Sequence, residues 1–298
     1  MNPIRFPIDR WLIVSALLFS LLFFWIDGLA EAVALPVFVL VMLSIGIPHG
    51  ANDHIAHQLK GGQNSPYTSL GHFIGMYVAK VLVYGGLWLL SPLLGLIIFL
   101  GISAWHFGEI QFSDLGLKNQ PWLRMGLYLS WGAWCLVGII GFHPAESQSI
   151  LAGLQIEINL LQWFSLPIFV MLSFGVFLCL GMVYHRTKMN RQRLRWEGMN
   201  LLALLLLFQL PELLLVFAIY FGLWHSFPSI RAQLIRFHQL GGNMPLQTYI
   251  IRSLPFSLLS FIGIGLLFLL QSIFFPSLSL IMLFFIVVST ITLPHVWE

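Results

Sequence analysis

Leu206-Leu207-Phe208-Gln209-Leu210-Pro211-Glu212-Leu213-Leu214-Leu215 lies inside an apolar stretch that runs from Met199 to Ser229. Its reading decides how often the chain crosses a membrane. As one helix, Asn200 to Trp224 would carry Pro211 in its interior. Proline there removes a backbone donor and clashes with the preceding turn, at a cost of about 3 kcal/mol. As two helices, the first ends by Leu210, a turn covers Gln209 to Glu212, and the second runs from Leu213 to about Arg231. Pro and Glu at a helix start are favourable, through a preset φ and the helix dipole.

Charge separates the two readings, because inner loops of membrane proteins hold the Lys and Arg. With the N-terminus inside and the turn at Pro211, the inner segments hold thirteen of the fourteen basic residues. The fourteenth, Lys80, lies within a span, and the outer turns hold Asp27, Glu31, Glu146, Glu157 and Glu212. The one-helix reading moves Arg231, Arg236 and Arg252 outside. The expected fold is therefore all-α, a polytopic helical bundle of about ten transmembrane segments (a range of about 8–10) with a cytoplasmic N-terminus. Residues 1–298 are read as a single multi-pass transmembrane domain in a cell membrane.

Composition agrees. Of the 298 residues, 58% are hydrophobic and 8% charged, where soluble domains carry about 25% charged residues. A crossing needs about 20 apolar residues. The expected spans are Trp11–Ile26, Ala32–Ile47, His72–Leu90, Pro92–Phe107, Trp122–Phe142, Leu160–Tyr184, Leu254–Phe274 and Pro276–Pro294, besides the two around Pro211. The segment Met199–Leu210 is short for a crossing, and Arg186–Arg195 reads as a basic loop. No small-residue cleavage site follows Trp11–Ile26, so it reads as the first span. Cys135 and Cys179 fall in apolar runs with no CxxC pair and read as core residues. No basic patch interleaved with aromatics points to nucleic acid.

Against this apolar background the stretch Gly46-Ile47-Pro48-His49-Gly50-Ala51-Asn52-Asp53-His54-Ile55-Ala56-His57 stands out. Ionisable groups at membrane depth are costly and by default functional. On ten spans, His49, His106, His225 and His295 come from four helices to one depth on the cytoplasmic side. Neutral imidazole is a ligand for iron, zinc, copper and nickel. Asp53, four residues after His49, reads as a partner for the second ring nitrogen of a ligating histidine or as a helix-cap carboxylate. Glu109, three residues after His106, allows the same two readings. His54 reads as a ligand or as a polar group facing substrate. His57 reads as interfacial, His72, His185 and His238 as solvated, and His143 has no assigned role. Trp105, Phe107, Trp224 and Phe227 flank the histidines and are candidates for a substrate cavity, although most aromatics pack or anchor at interfaces.

The motifs Pro48-His49-Gly50-Ala51-Asn52-Asp53-His54, Trp105-His106-Phe107-Gly108-Glu109, Tyr220-Phe221-Gly222-Leu223-Trp224-His225-Ser226 and Pro294-His295 resemble, in this order, those of the Brp/Blh family of integral membrane β-carotene 15,15'-dioxygenases. The resemblance implies a non-haem Fe(2+) centre held by histidines. It implies cleavage of the central 15,15' double bond of β-carotene with O2 to two retinal, in microbes for a rhodopsin. His49, His106 and His225 match family ligand positions. Ser229 departs from the pattern, standing where members carry a second histidine after the His-Ser motif. His295, His54 or no residue then supplies the fourth ligand. The alternatives are a membrane di-iron desaturase or hydroxylase, which needs about eight boxed histidines, a histidine-relay transporter, or a pigment with a Schiff base on Lys80.

Overall fold

The computed structural model describes residues 5–55, 70–159, 166–187, 189–239, 244–274, 276 and 279–296. His57 and Lys60 lie outside these residues. Among the described residues the secondary structure is helix and turn, with no strand. We number the helices α1 Arg5–Trp25, α2 Leu29–Ile55, α3 Leu70–Leu90, α4 Pro92–Phe112, α5 Pro121–Gly141, α6 Pro144–Gly153, α7 Leu166–Arg186, α8 Arg191–Leu207, α9 Leu213–Gln239, α10 Leu246–Phe274 and α11 Leu280–Val296. Seven of them are long and apolar enough to cross a membrane, and two shorter apolar stretches cover Arg10–Trp25 and Met282–Leu293. Along α10, Leu259, Ile262, Leu269 and Ile273 are exposed, as side chains solvated by lipid would be.

The break at Pro211 is present: α8 ends at Leu207 and α9 starts at Leu213. Its chemistry differs from the expectation in one respect. The Glu212 side chain makes no cap bond, and the Leu213 N–H instead donates to the Glu146 carboxylate of α6, at 3.0 and 3.1 Å. A carboxylate on an orphan N–H at a helix start satisfies donor and dipole together. His143 pins the same turn, with its ring nitrogens 2.7 and 2.6 Å from the carbonyl oxygens of Ile139 and Leu210.

Other boundaries shift. The supposed basic loop Arg186–Arg195 is half helix, because α8 begins at Arg191 rather than Met199. Asn190 caps it by accepting from the Arg193 N–H at 2.7 Å. The helix tolerates arginine because Arg193 is buried against Glu197, four residues on, at 2.5 Å. Glu197 in turn accepts from Gln111 Nε2 of α4 at 2.7 Å. A buried charge is stable only when paired and hydrogen-bonded in this way. Past His106, α4 continues to Phe112, and past His49, α2 breaks at a two-residue turn, Ala51 and Asn52, before it resumes to Ile55.

The chain divides into two compact units. The first comprises residues 1–40, 100–149 and 158–225, and the second residues 41–99, 150–157 and 226–298. In the first, α5 packs on α7 and α1 on α8. Gly132 of α5 lies against the Ala104 carbonyl of α4, and Gly108 of α4 against the Tyr128 backbone. A Cβ at either glycine would collide with backbone, so small residues bring α4 and α5 together. In the second unit, α11 packs on α3, and α10 on the Ile47–Gly50 turn of α2. Cys135 and Cys179 are buried and free.

Candidate active site

Two histidine pairs emerge, one in each unit. In the second unit the His49 and His295 rings meet edge to face, centroids 4.7 Å apart. His49 sits just after a π-helical turn, Met42–Gly46, where the Ile47 N–H reaches back to the Met42 carbonyl. Such turns inside α-helices occur frequently at functional sites. His49 Nδ1 donates to the Gly46 carbonyl. His295 Nδ1 donates to both oxygens of Asp53, at 2.8 and 3.0 Å. A carbonyl or carboxylate oxygen can only accept, so Nδ1 carries the proton in both rings and Nε2 keeps the lone pair. Gly50 leaves room for this arrangement, since a Cβ there would stand 3.4 Å from His295 Nδ1.

The turn that carries His49 is held from far along the chain. Its carbonyl accepts from Gln233 Nε2 of α9 at 3.1 Å and lies 3.2 Å from the Tyr249 hydroxyl of α10. Tyr249 also reaches Gln233 Oε1 at 2.7 Å, and Asn52 Nδ2 donates to the Tyr249 carbonyl at 3.2 Å. His54 is turned to other contacts. Its Nδ1 donates to the Ala51 carbonyl at 3.1 Å, and its ring lies 4.4 Å from Phe256 and 6.5 Å from Phe73.

In the first unit the His106 and His225 rings lie 4.9 Å apart, centroid to centroid. His225 belongs to a second π-helical turn, Tyr220–Ser226. Its ring stacks on Phe221 at 4.9 Å and meets Phe107 at the same distance. Phe107 also packs edge-on against Tyr220 at 5.1 Å. Glu109 Oε2 stands 3.8 Å from His106 Nδ1 and is partly exposed, a looser partner than Asp53.

Of the aromatic candidates, Phe107 and Trp224 are buried beside the motifs. Trp105 packs on Tyr128, with the Arg124 guanidinium over its ring. Phe227 is 48% exposed. Among the described residues no group of three or more His, Cys, Asp or Glu is arranged to hold a metal ion, and the imidazoles come as pairs. Ser229 is buried, and His72, His185 and His238 are exposed. Sequence reasoning missed Gln233 and Tyr249, which lie 184 and 200 residues from His49 and carry no local signal. Asn52 stands inside the first motif, which by itself assigned it no role.

A scan against protein families matches residues 40–297 to the family described as Beta-carotene 15,15'-dioxygenase. The chain belongs to the beta-carotene 15,15'-dioxygenase family. The match takes in both histidine pairs, Asp53, Gln233 and Tyr249. Searches of curated proteins and of solved structures returned no match. Membership in a β-carotene dioxygenase family agrees with long apolar helices, since its hydrocarbon substrate dissolves in the bilayer.

Proposed function

We propose that the chain is an iron-dependent membrane dioxygenase that cleaves the central 15,15' double bond of β-carotene, with His49, His106, His225 and His295 as the ligands of one Fe(2+). The observation that supports His49 and His295 in this set is their tautomer. Gly46 and Asp53 hold the Nδ1 protons, so each Nε2 presents a lone pair. A histidine whose second nitrogen is held by a carbonyl or carboxylate is the usual companion of a bound metal. His49, His106 and His225 are buried, and the His295 side chain is 8% exposed. Neutral imidazoles suit iron and leave its positive charge intact.

The reaction balances without outside protons or electrons. The carbon–carbon double bond and the O–O bond break, and each carbon takes one oxygen atom to become the aldehyde of one retinal. Held by His49, His106, His225 and His295, iron would supply the redox chemistry that O2 needs to react with the polyene. The chain needs no acid or base at the double bond, so its part is to hold ligands, exclude water and position the hydrocarbon. Phe107, Trp224 and Trp105 offer the apolar surface for the polyene, and Phe227 an exposed one toward the lipid. Asp53 and Glu109 act behind the ligands, and His54 stands among aromatic rings.

Ten crossings with the N-terminus and the histidines on the cytoplasmic side fit a bacterial inner membrane. The seven long apolar helices and the two shorter ones support nine of these crossings, and α8 is the segment that would make the tenth. The two retinal molecules would serve a microbial rhodopsin. Co-expression with a β-carotene pathway tests the reaction: extracted pigment should change from carotene to retinal, only with O2. Unconverted carotene beside well-expressed protein would remove the proposal. One iron per chain is expected, and two would point to a di-iron enzyme.

A further inference from the structure

The regular helix is interrupted where His49 needs a fixed place. Pro48 has no N–H to donate. The backbone closes instead through tighter bonds, Ala51 N–H to the Pro48 carbonyl and Ile55 N–H to the Asn52 carbonyl. These leave a two-residue turn at Ala51 and Asn52. Two side chains from other helices reach the His49 carbonyl just before this turn, and Asn52 of the turn reaches back to one of them.

Gln233 Nε2 donates to the His49 carbonyl at 3.1 Å, which turns Gln233 Oε1 toward Tyr249. The Tyr249 hydroxyl has one proton, shared between Gln233 Oε1 at 2.7 Å and the His49 carbonyl at 3.2 Å. Asn52 Nδ2 closes the loop on the Tyr249 carbonyl at 3.2 Å. Tyr249 is 2% exposed, so no solvent competes for its proton. The adjoining cluster of Ile55, Phe237 and Tyr249 fixes the phenol ring itself.

We propose that Tyr249 is a positioning residue, whose hydroxyl acts through Gln233 and the His49 carbonyl to set the His49 imidazole opposite His295. This rests on the reading of His49 as an iron ligand. Outer partners that orient ligating histidines tune affinity and activity by about 10–100-fold. Tyr249→Phe removes one oxygen atom and leaves the ring in its cluster.

The test uses the full chain in detergent, loaded with Fe(2+). Iron content, the electron paramagnetic resonance of the ferrous nitric oxide adduct, and kcat and KM for β-carotene are measured. Tyr249→Phe should fold as the wild type, bind iron about 10–100-fold more weakly, change the line shape of the adduct and lower kcat with KM unchanged. Gln233→Leu should reproduce the change. The double variant should be no worse than either single one, because both break one chain of bonds. Should Tyr249→Phe fail to fold, Gln233→Leu carries the comparison by itself. A wild-type line shape and iron affinity in the folded variant would overturn the proposal, as would additive losses in the double variant. A wild-type chain that binds no iron would instead overturn the ligand reading beneath it.

Discussion

The two histidine pairs are built on different physics. His49 and His295 are held by directed hydrogen bonds: Gly46 and Asp53 on the rings, Gln233 and Tyr249 on the backbone. Around His106 and His225 the contacts described are of another kind, with Phe221 and Phe107 rings against His225 and the Glu109 carboxylate 3.8 Å from His106. A hydrogen bond selects a tautomer and an angle. A ring contact selects a plane and excludes water, and tolerates small shifts. The difference teaches that a buried imidazole can be fixed in an apolar bundle by either device. It also predicts which substitutions each pair withstands.

At the proposed ligands the contrast should vanish. His49→Ala and His225→Ala should each abolish retinal formation in carotene-producing cells. Activity surviving in only one of them would show that a single pair binds the metal. One step away the contrast should open. Asp53→Asn should lower iron affinity about 10–100-fold, and Glu109→Gln by less than about tenfold, as read by iron titration. Equal losses would remove the distinction between a tight and a loose carboxylate.

Packing effects come next. Gly132→Ala should destabilise the first unit by about 1–3 kcal/mol, because its Cβ meets the Ala104 backbone two residues before His106. A thermal melt of the purified chain reads this, and an unchanged midpoint would contradict the close approach of α4 and α5. Phe221→Leu should cost about 0.5–1.5 kcal/mol at the His225 stack, seen as a few-fold fall in kcat/KM.

The smallest effect lies at the Pro211 turn, away from either pair. Burial, and then the nearby Glu146 and Glu31 carboxylates, raise the Glu212 carboxyl above its ordinary range. A carboxyl raised in the fold opposes folding once ionised. Glu212→Gln should therefore melt slightly higher at neutral pH. The gain should fade as pH falls into the ordinary carboxyl range, where both side chains are uncharged. A gain that grew on acidification would have the wrong sign.

Local chemistry made much of the fold legible. Apolar runs marked the long helices, because lipid and buried core both demand them. Pro211 marked the break, because proline cannot donate. The family was legible in four short motifs, and the first of them singled out Asp53 as a partner for a histidine or as a helix cap. Its true partner was not legible. Helical spacing pointed to His49, whereas the carboxylate meets His295, 242 residues away. The arginines before Met199 were misread for a related reason, since a basic run signals a loop until Glu197 and Gln111 are seen to pair with it.

By itself, then, the sequence determined that this chain is a helical membrane protein with histidines in defined motifs, because hydropathy and proline act over a few residues. Only the tertiary structure decided which imidazoles pair, which carboxylate serves which ring, and that Gln233 and Tyr249 hold His49. A hydrogen bond depends on distances of about 3 Å between atoms that the chain brings together only when folded.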